Sequence, residues 1–161
     1  MQNFTPCLWF DSLAEEAVDF YVTVFRNSEI TGLTRYTEAG AKASGKPVGT
    51  VMTVAFQLDG NEFLALNGGP EFKFTPAVSF IVNCETQEEI NRLWEALSEG
   101  GAPMDCGWIQ DKYGVSWQIV PRALGEMLKD KDLRKIEAVL RALMGMKRLD
   151  MDALRQAYEQ G

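Results

Sequence analysis

Apolar positions divide the chain into stretches of two periods. Ala17, Phe20, Tyr21, Val24 and Phe25 share one side of a predicted helix. Ile90, Leu93, Trp94 and Leu97 follow the i, i+3, i+4, i+7 spacing of a second, which stops at Gly100-Gly101. Before the first stands Ser12-Leu13-Ala14-Glu15 and before the second Thr86-Gln87-Glu88-Glu89, both in the pattern of a capping box. Strand-like segments follow each helix. Residues ~28–37, Val48 to Leu58 and Glu62 to Asn67 form the first set, with Asp59-Gly60 as a hairpin signal between the last two. Residues ~102–110 and Val115 to Val120 form the second, joined through Asp111-Lys112-Tyr113-Gly114.

The two halves also repeat at the residue level. Phe4-Thr5-Pro6-Cys7-Leu8-Trp9-Phe10 and Phe74-Thr75-Pro76-Ala77-Val78-Ser79-Phe80 share Phe-Thr-Pro and a closing Phe, so each half reads as a βαβββ module opening on such a segment. The expected fold class is α+β: duplicated modules over ~1–70 and ~71–121 within one domain, and a helical tail over ~122–161. In the tail, Leu133, Ile136, Leu140 and Leu143 would form one face, with Leu149, Leu154 and Tyr158 beyond Asp150. It would pack on the modules or on a second subunit.

Composition narrows the chemistry. With 46% hydrophobic and 24% charged residues over 161 positions, the chain can build a core without disulfide or structural metal. A net charge of −7 argues against nucleic-acid binding, which depends on Lys and Arg neutralising phosphates. No apolar run is long enough to span a membrane, and no basic leader precedes the first turn signals, so a cytoplasmic protein is expected. Histidine is absent altogether, which excludes Ser-His-Asp and Cys-His nucleophiles and His-bound metal in this chain alone. Cys7, Cys84 and Cys106, an odd set with no Cys-x-x-Cys, fit reduced small hydrophobes. Gly40-Ala41-Lys42-Ala43-Ser44-Gly45-Lys46-Pro47 resembles a phosphate loop but ends in Pro47 where a hydroxyl is needed, and a strand follows it. Residues ~38–49 are therefore expected to form a loop, with closure over a cavity as an alternative.

A duplicated βαβββ module resembles the vicinal oxygen chelate superfamily of glyoxalase I, extradiol dioxygenases and bleomycin and fosfomycin resistance proteins. Thr5 to Phe10, Glu15-Glu16-Ala17, Phe20-Tyr21, Ala65 to Pro70, Cys106-Gly107-Trp108 and Asp111 to Gln118 are similar to its PhnB-like branch. The likeness covers residues 1 to ~121, and a helical tail also occurs in that branch. It implies a sheet cup that ordinarily holds a divalent metal, and often a homodimer. Carried over residue by residue, the ligand positions fall on Cys7, Ala65, Ala77 and Gln118, with Leu64-Ala65-Leu66 aligned to Trp117-Gln118-Ile119. One thiol and one amide are too few donors for a catalytic divalent ion, so no metal or other cofactor is expected.

Strand alternation turns Leu8, Phe10, Val78 and Phe80 toward the helices and Cys7, Trp9, Ala77, Ser79, Ser116 and Gln118 toward the cavity. Asn67 would lie at its rim, Trp117 in the core, and Trp108 is a further candidate for an aromatic cage. The candidate ligand site is thus Cys7, Trp9, Asn67, Ser79, Trp108, Ser116 and Gln118, suited to a small, partly aromatic or amphipathic molecule. Two alternatives stay open. One is a superfamily isomerase, lyase or thiol transferase using Cys7, Asp105, Glu71 or a metal at other positions; the other is an interaction domain with a packed cavity. Methyl transfer is disfavoured, because Trp9-Phe10-Asp11-Ser12 lacks the glycine-rich turn of a Rossmann-type cofactor site.

Overall fold

A computed structural model describes residues 4–161. The chain divides into two compact units, Met1–Phe74 and Thr75–Gly161. The first unit runs β1 (Cys7–Phe10), α1 (Ala14–Val24), β2 (Glu29–Arg35), α2 (Glu38–Ser44), β3 (Val51–Leu58) and β4 (Asn61–Asn67). Its four strands lie in the order β1-β4-β3-β2, with β1 parallel to β4 and the other pairs antiparallel. The second unit runs β5 (Phe80–Cys84), α3 (Gln87–Ser98), β6 (Ala102–Pro103), β7 (Trp108–Gln110) and β8 (Ser116–Pro121), ordered β5-β8-β7-β6 with the same parallel pair at one edge. Three helices follow, α4 (Arg122–Met127), α5 (Leu133–Met144) and α6 (Met151–Gln160).

Each sheet is covered on one face by its helix. In the first unit Ala14, Ala17, Val18 and Tyr21 of α1 are fully buried against Leu8, Phe10, Val54, Phe56 and Ala65. The small residues let the helix lie close, and Tyr21, Phe56 and Phe63 stack in sequence across the interface. Ile90, Leu93 and Leu97 of α3 play that part in the second unit, over Ile109, Trp117 and Ile119. Trp117 is core, as its helix-facing position requires; its Nε1 donates to Asp111 Oδ2 at 2.8 Å while Asp111 Oδ1 accepts from Tyr113 N and Val115 N. The hairpin turn is where expected: Asp59 and Gly60 both take positive φ, 47° and 77°, as a two-residue primed turn demands.

Several expectations are corrected. Helix α1 carries no side-chain cap from Ser12: its N-cap is Leu13, and Ala14 N is bonded instead by Asn67 Oδ1. The α3 box forms, with Glu89 N donating to Thr86 Oγ1 and Glu85 N to Glu89 Oε2. Residues 38–44, expected in a loop, form α2, closed by Gly45 at φ 73°. The elements recur at a different spacing from the Phe-Thr-Pro repeat. The first strand and helix start at Cys7 and Ala14, the second at Phe80 and Gln87, so Thr75 to Ser79 is a lead-in to β5. Val78, expected to face a helix, is consequently 70% exposed, and Ala77 lies outside the sheet. In the tail, Val139 is the buried residue of α5 while Leu133 is 76% exposed.

Candidate functional site

The face of each sheet away from its helix is where side chains remain to act. Paired strands put opposed residues on the same face, so register assigns the faces. In the first unit Leu8 opposes Ala65 and Phe10 opposes Asn67 on the helix side, whereas Cys7 opposes Leu64 and Trp9 opposes Leu66 on the open side. Ala65 is therefore not at a ligand position. Its place beside Cys7 belongs to Leu64. In the second unit Phe80 opposes Trp117 on the helix side, their rings 5.4 Å apart, and Ile81 opposes Gln118 on the open side. Ile81, not Ala77, is the strand partner of Gln118.

The seven candidate residues separate accordingly. Asn67, expected at the cavity rim, turns inward and is fully engaged. Its Oδ1 accepts from Ala14 N at 2.9 Å, and its Nδ2 donates to Glu15 Oε2 at 2.7 Å and Val51 O at 3.1 Å. Tyr36 Oη donates to its carbonyl at 2.6 Å. Asn67 is a cap for α1 supplied from across the sheet. Trp9 keeps the open side but is held by its own turn: Nε1 donates to Gly69 O at 2.9 Å and Phe72 meets the ring edge-on at 4.9 Å. The ring lies against Gly68 so closely that a Cβ there would fall 2.3 Å from it. Cys7 is exposed, and partial burial raises its thiol above the usual range, which leaves little thiolate at neutral pH. Cys84 is pushed up to about 12, chiefly by burial and then by Glu89.

Ser79, Trp108, Ser116 and Gln118 converge on the second sheet. Gln118 Nε2 donates to Ser79 Oγ at 2.9 Å, across the parallel pair from the start of β5. Trp108 opposes Gln118 on the other flank, which fixes an orientation that the sequence left open. Both are half-buried. Ser116, two residues before Gln118 on β8, is 1% exposed, and its hydroxyl has no hydrogen-bond partner. The patch is thus an amide fastened to a serine, flanked by an indole and by the exposed side chain of Ile81.

This donor set does not fit a divalent ion. Cys7 and Gln118 each face a hydrocarbon partner, Leu64 and Ile81, and Gln118 is already bonded to Ser79. Among the described residues no group of three or more His, Cys, Asp or Glu is placed to hold a metal. No helix of these residues is long and apolar enough to cross a membrane.

Two βαβββ units, each with a mixed four-stranded sheet covered by helix on one face, define a duplicated, glyoxalase-like fold. Within it the chain belongs to the PhnB-like family whose model, described as 3-demethylubiquinone-9 3-methyltransferase, matches residues 2–120. A putative 3-demethylubiquinone-9 3-methyltransferase, PhnB protein, from Bacillus cereus is 40% identical over 74% of this chain and 98% of its own, with a TM-score of 0.64. A protein from Pseudomonas aeruginosa is 20% identical over 75% of this chain and 97% of its own, with a TM-score of 0.59. A gene product from Arabidopsis thaliana is 18% identical over 75% and 98%, with a TM-score of 0.50. None of the curated proteins matches. The family match stops at residue 120, before the three tail helices.

Proposed function

We propose that the chain is a metal-free binding protein that holds a small, partly aromatic or amphipathic molecule on the open face of its second sheet. The carrying observation is the Ser79–Gln118 hydrogen bond directly beside Trp108. An indole gives a flat apolar surface and a fixed amide gives orientation, the combination by which small-molecule sites select planar ligands with one polar edge. The family description names a methyltransferase. Against that activity stands the β1–α1 turn, Asp11-Ser12-Leu13, which has no glycine to bring backbone against a nucleotide cofactor. A thiol-transfer role for Cys7 is disfavoured by its pKa, which partial burial raises. In this reading the protein works in the cytoplasm as a homodimer, which sedimentation of the purified chain would test.

Two measurements decide the reading. A dialysed sample should contain no stoichiometric zinc, nickel or manganese, and divalent ions should not raise its melting temperature. Stoichiometric metal, or stabilisation beyond about 2 kcal/mol at saturating ion, overturns it. Titration with 8-anilinonaphthalene-1-sulfonate, an amphipathic aromatic probe, should saturate at one site per chain. Gln118→Ala should weaken it at least fivefold, and an unchanged affinity would remove the patch from consideration.

A further inference from the structure

The helices beyond residue 120 have no counterpart in the family match, yet they are fastened to the second sheet at defined points. Gln87, the first residue of α3, clamps the α5–α6 connection from both ends of its amide: Nε2 donates to Leu149 O at 3.0 Å and Oε1 accepts from Met151 N at 2.8 Å. The segment leading into Trp108 is tied to that same connection through backbone, Cys106 N donating to Met146 O and Gly107 N to Lys147 O, both at 2.8 Å. These bonds hold an uncommon conformation. Cys106 has φ 59°, a left-handed value that a residue with a Cβ rarely adopts, and Gly107 follows at 82°. At Gly107 a Cβ would meet Ile119 O at 2.8 Å and Leu149 at 3.1 Å.

The third attachment is apolar, and it lies at the end of β8. Leu124, Val139, Leu149 and Leu154 form a buried cluster, and Val120 packs against it. Val120 is two residues beyond Gln118, so alternation puts both on one face about 7 Å apart. The tail cluster therefore meets β8 at the next same-face position past the amide that orients the candidate ligand. On one side of the patch Cys106 and Gly107 are bonded to the α5–α6 connection, and on the other Val120 packs against the tail cluster.

We propose that the docked helices are the end wall of this patch and set the length of molecule it accepts. The proposal rests on the binding reading above. A flat ligand seated between Trp108 and Gln118 has one short span before it meets Val120 and the cluster behind it. Larger molecules are excluded while the wall is in place, and relatives of this fold without such helices would leave that end of the sheet open. Gln87, which bonds the connection and is not one of the patch residues, acts as a positioning residue.

The test compares two probes on full-length protein: 8-anilinonaphthalene-1-sulfonate and its covalent dimer. Wild type should bind the monomer at least tenfold more tightly than the dimer. Gln87→Ala, with Leu149→Ala as an independent way to loosen the same contact, should raise hydrogen exchange at the Cys106 and Gly107 amides and reduce that discrimination at least fivefold. Adding Gln118→Ala should abolish the gain. Undiminished discrimination despite faster exchange of those amides overturns the wall, as does a gain that survives Gln118→Ala, since the dimer would then be binding to bared apolar surface. Loss of monomer binding in neither Gln118→Ala nor the combined variants overturns the binding reading itself, a different outcome from failure of the wall alone.

Discussion

The two units build one βαβββ plan and spend their polar side chains in opposite ways. In the first, the amide at the end of the central strand, Asn67, is turned inward and consumed in capping α1, and the open face is left with Cys7, Trp9, Leu64 and Leu66. In the second, α3 caps itself locally through Thr86 and Glu89, and register places Gln118, the counterpart of Leu66, on the open face. Both units leave an indole on that face. Trp9 is pinned by Gly68, Gly69 and Phe72, whereas Trp108 flanks an amide. A buried polar group must find a partner, and which partner it finds decides whether it serves the fold or stays available for a ligand.

The largest expected effect comes from breaking the first arrangement. Asn67→Ala leaves Ala14 N and Val51 O buried without their partner and should cost about 3 kcal/mol in chemical denaturation, at roughly 1–3 kcal/mol per orphaned group. Asn67→Asp sharpens the point. A carboxylate would still accept from Ala14 N but would face Glu15 Oε2 and Val51 O, so the introduced acid should have a raised pKa in the folded state. A raised folded pKa means stability present at low pH and lost as pH rises, so this variant should gain stability on acidification toward pH ~5 relative to neutral, measured against wild type. Loss of stability no larger at pH 7 than at pH 5 would contradict the inward orientation of residue 67.

Next comes Gly68→Ala. The added methyl would lie 2.3 Å from the Trp9 ring, so the indole must leave its seat and give up its bond to Gly69 O. A cost of about 2 kcal/mol is expected, with a red-shifted tryptophan emission as the ring becomes wetter. An unshifted spectrum would mean that Trp9 is not held by the turn. Thr86→Ala removes one local cap and should cost only about 1 kcal/mol, the usual value for such a bond at a helix start.

These contrasts also explain what the sequence made legible. Periodicity located both sheet-covering helices, the hairpin at Asp59-Gly60 and the core position of Trp117, because those signals are local. Register is not local. The shared Phe-Thr-Pro segments suggested that Cys7 and Ala77 occupy equivalent positions, but β5 starts only at Phe80, where the ring can meet Trp117. A shift of an odd number of residues exchanges the two faces of a strand, which is why Ala65 was expected at a ligand position and instead lies against the helix. Asn67 was misread for a related reason. Its Asn-Gly-Gly context describes a turn, whereas its hydrogen bonds reach residues more than 50 positions earlier in the chain, Ala14 and Glu15.

The smallest predicted effect is the one that discriminates best between the units. Ser116 is as thoroughly buried as Asn67, yet its hydroxyl has no partner. The two buried polar residues should therefore respond to alanine in opposite ways. Where Asn67→Ala orphans its partners, Ser116→Ala removes a group that is itself orphaned, and the methyl that replaces it keeps most of the packing. Its stability should stay within about 0.5 kcal/mol of wild type or rise by up to about 1 kcal/mol. Because Ser116 is buried from any probe and takes no part in the Ser79–Gln118 bond, probe affinity should also remain within twofold, unlike that of Gln118→Ala. A loss above about 1.5 kcal/mol would mean that the hydroxyl is hydrogen-bonded in solution, to a buried water or to a neighbour that reorients, and the contrast between the two units would then narrow to their helix caps alone.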